Sequence, residues 1–328
     1  MRAAFYRRHG AAAEVIEIGE QPTPQAGPGE VRVRLHASGV NPSDANRRGG
    51  RSPGADYPLV IPNSDGAGVV DQTGPGVDPA WNGRRVWLHN GQRERALGTA
   101  AEWIALDATL VAPLPDGVPF DVGACLGIPA MTAHRCLFAD GPVRGLDVLV
   151  AGGAGAVGHY AIQLAKWGGA RVLTTVSGPA KGDHARKAGA DVVIDYKRED
   201  VAARVLAETG GKGVERLVEV DFGGNLATTL RVMALNGTVA MYASRGELRP
   251  TVPIYDFMRR NVNIRTVLLY SVPPADRARA QTDIGRWLAT GSAVHTIAGH
   301  YALAKTAAAH QAVESGGKLG TVVVECTR

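Results

Sequence analysis

Short strand-like segments dominate the first third of the chain. Apolar and polar residues alternate at 31–35, and short apolar runs follow at 66–71, 85–88 and 102–106. Gly and Pro residues separate these segments. A period of two predicts half-buried strands, and turn residues between short strands are typical of antiparallel sheets. The pattern therefore predicts a compact, mostly antiparallel β domain from residue 1 to about 118.

Strand-like and helix-like segments alternate from about residue 119 onward. Short apolar runs occur at 146–151, 171–176, 191–194 and 213–220, and a helical pattern follows each of them. Alternation of this kind predicts βαβ units, in which helices cover both faces of a parallel sheet. The predicted fold class is therefore α/β, with a doubly wound parallel sheet of the Rossmann type over residues 119–264.

The last part of the chain contains two helical patterns and the apolar run 321–325. A segment of this length is too short for a core of its own, so we expect it to return to the first domain. The expected organisation is a discontinuous domain of residues 1–118 and 265–328, with residues 119–264 as the second domain.

Composition and charge exclude several classes of protein. The chain has 328 residues, of which 45% are hydrophobic and 20% charged, and a formal net charge of +5. Its arginines are scattered rather than gathered beside aromatic residues, so nucleic-acid binding is not indicated. No apolar run reaches the roughly 18 residues that a membrane span needs. Three cysteines without C-x-x-C spacing suit a reducing compartment, and we expect a cytoplasmic protein.

One glycine-rich segment carries the clearest chemical signal. An apolar run leads into Gly153, Gly155 and Gly158, which have the spacing G-x-G-x-x-G, and a helical pattern follows at once. In such units the first glycine permits the turn, the second lets the backbone approach a pyrophosphate, and the third lets helix and strand pack closely. The N–H groups at the helix start, around Ala156 and Val157, then face the phosphates. The motif predicts a dinucleotide site.

The strand after this loop indicates which dinucleotide binds. In the Rossmann pattern an Asp or Glu about 20 residues beyond the glycines binds the ribose 2′-hydroxyl of NAD. In this chain the strand is followed by Ser177, without a carboxylate, and then by Lys181. A hydroxyl and a lysine attract a 2′-phosphate that a carboxylate would repel. NADPH is therefore the predicted cofactor, and Tyr196 either joins the core or lies against the adenosine phosphate.

Further motifs are spread along the whole chain and are specific when taken together. They are Gly39-Val40-Asn41-Pro42, Ser64-Asp65-Gly66-Ala67-Gly68-Val69-Val70, Gly127-Ile128-Pro129-Ala130-Met131-Thr132-Ala133, the glycine loop and Ala243-Ser244-Arg245-Gly246. In these motifs the chain resembles the medium-chain dehydrogenases/reductases, in particular the zeta-crystallin-like NADPH:quinone oxidoreductases. The resemblance implies a GroES-like β domain, a Rossmann domain and an active site in the cleft between them.

The zinc alcohol dehydrogenases of the same superfamily resemble this chain but differ at their metal ligands. Where they place a Cys in G-x-C-x-x-D and a His in G-H-E, this chain has Asn41 and Ser64, and the third ligand position falls at Ile128. Cys125 is out of register with that position. A catalytic zinc needs three N, S or O ligands from the protein, which this set does not provide. We therefore expect no metal.

Without a Lewis acid the acceptor must already be electrophilic. Quinones and α,β-unsaturated carbonyls fit, because the incoming negative charge spreads onto a conjugated oxygen that hydrogen bonds stabilise. The predicted function is a zinc-independent, NADPH-dependent reductase that transfers hydride to quinones in the cleft between two domains. The resemblance places Asn41 at the substrate carbonyl as a donor and Thr132 near the nicotinamide. The alternatives are a turn Asn that bonds its own backbone and a merely packed Thr.

Two further residues are expected to meet the cofactor, and one position departs from the relatives. Ser244 and Arg245 follow a parallel strand, whose carboxyl end is where such sheets bind ligands. The relatives carry a Tyr, proposed to line the substrate cleft, where this chain has Asn46. An aromatic surface for stacking a flat quinone is thus missing. We expect Asn46, Tyr57 and Ser64 to line the cleft, and Tyr57, Trp87 and His89 are candidates to replace the tyrosine.

Two other functions remain open from the sequence. The first is an NADPH-dependent enoyl or alkenal reductase, which the missing tyrosine favours. The second, of another class, is an NADPH-binding protein with a structural or RNA-binding role, because some zeta-crystallins that this chain resembles act in that way. The expected partners are a small electrophile and, by the resemblance, a second copy of the chain, which would pair along an edge strand at 262–270.

Overall fold

The computed structural model describes residues 1–52 and 57–327. The described residues divide into two compact units. The first contains those within Met1–Ile128, Gln281–Gly291 and His295–Arg328, and the second contains Pro129–Ala280 and Ser292–Val294.

The described residues form strands and helices along the whole length of the chain. The strands are β1 (Arg2–Phe5), β2 (Glu17–Glu20), β3 (Glu30–Val40), β4 (Asp65–Thr73), β5 (Arg85–Leu88), β6 (Trp103–Asp107), β7 (Val111–Pro113), β8 (Asp147–Val150), β9 (Arg171–Val176), β10 (Val192–Asp195), β11 (Val214–Glu219), β12 (Met233–Met241), β13 (Asn263–Thr266), β14 (Ile297–Ala302) and β15 (Thr321–Glu325). The helices are α1 (Ala12–Val15), α2 (Pro42–Arg48), α3 (Phe120–Gly123), α4 (Gly127–Phe138), α5 (Ala156–Trp167), α6 (Pro179–Lys187), α7 (Val201–Glu208), α8 (Leu226–Val232), α9 (Ile254–Arg259), α10 (Pro274–Ala289) and α11 (Thr306–Glu314).

The first unit is built on a mostly antiparallel sheet. Its strands lie in the order β14-β15-β3-β4-β5-β7, and β6 pairs with β3. Only β14 and β15 among these run parallel to each other. The alternating residues Val31, Val33 and Leu35 of β3 are fully buried in the core, whereas Arg34 is exposed. The alternation in the sequence thus corresponds to one buried and one more exposed face of the strand.

The second unit contains a six-stranded parallel sheet in the order β10-β9-β8-β11-β12-β13. The chain builds outward from β8 to β10 on one side and then from β11 to β13 on the other. The strand order therefore reverses between β8 and β11. In open parallel sheets ligands bind outside the carboxyl ends of the strands at this reversal, which is where the glycine loop follows β8. The predicted α/β fold class is confirmed.

Two details differ from the sequence-based expectations. The strand expected at 262–270 is limited to β13, because Leu269–Ser271 forms a 3₁₀ turn. The compact units divide after Ile128 and Ala280, whereas the sequence placed the boundaries at 118 and 264. The physical reason at the second boundary is that β13 pairs in parallel with β12, so the chain stays with the parallel sheet beyond residue 264.

Within the described ranges, no helix combines the length and the apolar character that crossing a membrane requires.

Candidate functional site

The glycine loop between β8 and α5 makes its turn one residue earlier than the motif predicted. Gly152 has a φ of +70°, which glycine adopts without strain. The turn is therefore made by Gly152 and not by Gly153. Gly153 is required for another reason, since a Cβ there would lie 2.1 Å from Oγ1 of Thr174 on β9.

The other two glycines of the motif shape the start of α5. A Cβ on Gly158 would lie 2.3 Å from the carbonyl oxygen of Gly152, so this position requires close packing of helix against loop. Gly155 is the exposed N-cap of α5. Ala156 and Val157 follow it as the first helical residues, whose N–H groups have no partner within the helix. An open helix start beside a residue without a side chain fits a pyrophosphate.

Ser177, Lys181 and Tyr196 come together at the carboxyl ends of β9 and β10. Nζ of Lys181 donates to Oγ of Ser177 at 2.8 Å. The backbone N–H of Tyr196 donates to the carbonyl oxygen of Val176, and the Tyr196 side chain is 52% exposed. That exposure excludes the alternative in which Tyr196 joins the core. A hydroxyl and an ammonium group attract a phosphate, and β9 ends without a carboxylate.

The loop after β12 is organised by hydrogen bonds within the second unit. Oγ of Ser244 accepts the N–H of Gly223 at 2.9 Å. Oδ1 of Asp221 accepts the N–H of Arg245 at 2.8 Å. Ser244 thus shapes the loop, and the Arg245 side chain is exposed.

Asn41 lies at the junction of β3 and α2 and is held by two buried carboxyl groups. Its Nδ2 donates to Oδ2 of Asp65 at 2.7 Å. Its backbone N–H donates to Oδ2 of Asp44 at 2.8 Å. Oγ of Ser64 donates to Oδ1 of Asp44 at 3.1 Å. The Asn41 side-chain amide therefore reaches across to β4, while Asn41 also forms a capping box with Asp44 at the start of α2.

Burial shifts the pKa of both carboxyl groups beside Asn41 upward. Asp44 and Asp65 are 2% and 1% exposed. Burial raises the pKa of Asp44 to about 6. Burial, and after it the charge of Asp44, raise the pKa of Asp65 well above its usual range. Like charges oppose each other's ionisation, so the two raised pKa values are coupled, and the neutral form of Asp65 is favoured beside a charged Asp44.

The positions that hold zinc in the zinc alcohol dehydrogenases gather around Asp65, but their chemistry does not fit a metal. Asn41 and Ser64 donate N–H and O–H groups to carboxyl oxygens, and Ile128 donates its backbone N–H to Oδ2 of Asp65 at 2.8 Å. Burial raises the pKa of Cys125 to about 12, which disfavours the thiolate that zinc needs. In the part of the chain that the structure describes, no group of three or more His, Cys, Asp or Glu could hold a metal ion. The donor set does not fit a catalytic zinc.

The remaining residues expected at the site differ in exposure. Thr132 lies on α4 and is 5% exposed. Asn46 on α2 and Tyr57 are half-buried. Trp87 and His89 are fully buried, so neither offers an exposed aromatic face in place of the missing tyrosine, and Tyr57 is the remaining candidate.

Several residues around Asn41 were not identified as site residues from the sequence. Asp44 and Asp65 lie close to Asn41 and Ser64 in the sequence. Each is a carboxyl group among small or apolar residues, which is the sequence signal for a buried functional carboxyl group. Tyr6, whose pKa is raised by burial and also by the charge of Asp44, and Gln92 gave no signal, because the segments after β1 and β5 are far from Asp44 in sequence. Burial raises the pKa of Tyr6, whose hydroxyl lies beside the Gln92 side chain.

Comparisons with known proteins show which family the chain resembles. The family model for the alcohol dehydrogenase GroES-like domain matches residues 27–116, and that for zinc-binding dehydrogenases matches residues 156–284. A quinone oxidoreductase of Rattus norvegicus is 31% identical over 92% of this chain and 90% of its own length. A 2-methylene-furan-3-one reductase of Solanum lycopersicum is 30% identical over 76% of this chain and 67% of its own length. A mycobacterial protein whose structure was solved in complex with NADPH has 31% identity and a TM-score of 0.86, covering 99% of this chain and 100% of that one.

A GroES-like sheet, a doubly wound parallel sheet and a glycine loop define the class as medium-chain dehydrogenases/reductases. Within this superfamily, the match to the rat protein shows the family, because it is 31% identical and covers 92% of this chain. The chain belongs to the quinone oxidoreductase family of that superfamily, which confirms the resemblance seen in the sequence.

Proposed function

We propose that this protein is an NADPH-dependent reductase that transfers hydride to quinones without zinc. The observation that carries the proposal is the chemistry around Asp65 and Asp44, where Asn41, Ser64 and Ile128 donate N–H and O–H groups to buried carboxyl oxygens in place of binding a metal. Without a metal to act as a Lewis acid, the hydride acceptor has to be electrophilic already. The name of the rat relative, quinone oxidoreductase, supports the same substrate class.

The proposed cofactor site is formed by the glycine loop and by the segment that follows β9. The start of α5, with Gly155, Ala156 and Val157, binds the pyrophosphate, and Gly153 and Gly158 allow the loop its close packing. Ser177, Lys181 and Tyr196 bind the 2′-phosphate and adenosine end. Ser244 and Arg245 meet the cofactor from the loop after β12, and Thr132 lies near the nicotinamide. When bound, NADPH supplies a hydride from C4 of its nicotinamide.

Asn41 is the proposed donor to the substrate carbonyl. A side-chain amide has two N–H groups on Nδ2, and one of them bonds to Asp65. The other, on a side chain that also hydrogen-bonds to Asp44, is the proposed donor to a carbonyl oxygen of the quinone, where negative charge develops as the hydride arrives. A fixed donor at that oxygen stabilises the transition state more than the ground state. Asn46, Tyr57 and Ser64 are the proposed substrate-lining residues of the first unit.

The second candidate function is an NADPH-dependent reductase of conjugated enals and enones. Two observations favour it over the remaining alternatives. Asn46 replaces an aromatic residue that would stack a flat quinone. The tomato relative is named for a substrate in which a methylene group is conjugated to a ring ketone.

A second copy of the chain is the proposed macromolecular partner. β13 lies at the end of the strand order of the parallel sheet. Near it in sequence are exposed apolar side chains, namely Ile254, Tyr255, Met258 and Leu268. An unpaired strand edge beside apolar surface favours pairing between identical subunits. Light scattering should give the mass of two chains, and a mass of one chain would contradict the proposal. All three cysteines are unpaired and buried, which supports a reducing, cytoplasmic location.

The zinc-independent function is tested by chelation. Purified protein is treated with dipicolinate until its metal content is negligible, and the oxidation of NADPH by 1,4-benzoquinone is then measured. We expect the rate to remain unchanged after chelation and after addition of zinc. A rate that disappears on chelation and returns with zinc would overturn the proposal.

A further inference from the structure

Asp65 lies where three separate segments of the first unit meet. It is the first residue of β4, and its Oδ2 accepts two hydrogen bonds from elsewhere in the chain. One comes from Nδ2 of Asn41 at 2.7 Å, and the other from the backbone N–H of Ile128 at 2.8 Å. The side chain is 1% exposed. A single oxygen therefore joins the side chain of Asn41 to the start of α4.

The second oxygen of Asp65 has no room to move. Among the described residues Oδ1 has no hydrogen-bond partner. A Cβ placed on Gly127 would lie 2.1 Å from it, so the carboxyl group fits closely against the backbone there. Glycine at residue 127 is what admits the carboxyl group, and the packing fixes its orientation.

The packing that buries Asp65 favours its neutral form, which suits a role beside a developing negative charge. Burial and the neighbouring charge of Asp44 raise the pKa of Asp65 well above its usual range. A neutral carboxyl group still accepts both N–H groups on Oδ2. An ionised one would repel the oxyanion that forms at the substrate when the hydride arrives. The raised pKa of Asp65 thus disfavours a second negative charge next to the Asn41 amide, in addition to that of Asp44.

Resting on the proposed function, we propose that Asp65 is the positioning residue for Asn41. A carboxamide is planar, so a hydrogen bond that fixes one N–H of Nδ2 also fixes the direction of the other. Asp65 holds the first N–H and thereby directs the second toward the substrate carbonyl oxygen. Asp65 itself does not touch the substrate and transfers no proton.

A double-mutant cycle separates positioning from a purely structural role. Asp65→Val removes the acceptor, and we expect kcat with 1,4-benzoquinone to fall about 10- to 100-fold, with the Kd for NADPH unchanged. Asn41→Ala should cause a similar loss. Adding Asp65→Val to Asn41→Ala should then change kcat by less than about threefold, because the two residues act as one unit. Asp65→Asn keeps an uncharged acceptor and should retain kcat within about threefold, with an unchanged pH profile.

A second variant covers the case in which Asp65→Val does not fold. Gly127→Ala keeps every hydrogen-bonding group but displaces the Asp65 carboxyl, and it should lower kcat only when Asn41 is present. Asp71→Asn is the matched control, since Asp71 is an exposed carboxylate at the other end of β4. It should leave kcat unchanged.

Three outcomes would overturn the inference. Losses that multiply in the double variant would show that Asp65 acts independently of Asn41. A loss in Asp65→Asn as large as in Asp65→Val would assign proton transfer to Asp65 instead. Wild-type protein that oxidises no NADPH with any quinone or enal would overturn the proposed function as well, whereas an active wild type with multiplicative losses would overturn the positioning role alone.

Discussion

The ammonium group of Lys181 lies 2.8 Å from the hydroxyl oxygen of Ser177, where β9 ends. In dinucleotide-binding sheets this strand end carries the acidic residue that binds an unmodified ribose. A positively charged donor beside a hydroxyl reverses that preference, because it attracts a phosphate at the 2′ position. In the proposed function, the choice between NADPH and NADH depends on this pair.

Replacing Lys181 by Met should weaken the use of NADPH without affecting NADH. Loss of one charged hydrogen bond, at about 1.5–3 kcal/mol, corresponds to a decrease of about 10- to 100-fold in kcat/KM for NADPH. Steady-state kinetics with both cofactors measure the effect. Lys187→Met is the matched control, because Lys187 is exposed at the other end of α6. Equal losses for NADPH and NADH would contradict the assignment.

The second and third glycines of the loop should respond differently to alanine. A Cβ on Gly158 would lie 2.3 Å from the Gly152 oxygen, so Gly158→Ala should lower the free energy of unfolding by about 1–3 kcal/mol. A Cβ on Gly155 meets its nearest neighbour at 3.3 Å. Gly155→Ala should therefore fold normally and yet bind NADPH more weakly, because its methyl group occupies the path of the pyrophosphate.

Urea denaturation and fluorescence titration with NADPH distinguish these two effects. Wild-type affinity for NADPH in Gly155→Ala, or wild-type stability in Gly158→Ala, would show that the two glycines do not have these separate roles.

Asp44 should make the stability of the protein decrease as the pH rises. Burial raises its pKa to about 6, whereas an Asp in an unfolded chain titrates near about 3.9. The folded state therefore binds the proton more tightly. The stabilisation is fully present below about pH 4 and is lost as the pH rises through about 6, by up to about 3 kcal/mol.

Asp44→Asn removes this titration and keeps an acceptor for the Asn41 backbone. The free energy of unfolding of the variant minus that of the wild type should rise by about 2 kcal/mol between pH 4 and pH 7. Urea titrations at several pH values measure this difference. A difference that does not change with pH would show that folding does not raise the pKa of Asp44.

The sequence predicted the sheets because their signals are local. The alternation at Val31, Val33 and Leu35 indicates a strand with one buried face. The glycine spacing indicates a strand, a turn and a helix that are consecutive in the chain. Even there, the pattern assigned the turn to Gly153 although Gly152 adopts the positive φ. The spacing of a motif does not distinguish a glycine needed for its φ from one needed because another side chain lies against it.

The network around Asn41 was less predictable, because its contacts join distant parts of the chain. The hydrogen bond between Ile128 and Asp65 joins residues 63 positions apart, and the periodicity of hydrophobic residues does not predict such a contact. The same holds for Tyr6 and Gln92, which belong to separate segments. The raised pKa of Asp65 results from complete burial and from a neighbouring carboxyl group, and neither is visible in a linear pattern.

The central claim is tested most directly by steady-state oxidation of NADPH across a panel of quinones and 2-alkenals, with NADH as the control cofactor. We predict turnover with NADPH, little with NADH, and the highest kcat/KM for a quinone. A highest value for an alkenal would favour the second candidate function. Binding of NADPH without its oxidation by any member of the panel would contradict the claim and indicate a cofactor-binding protein without this activity.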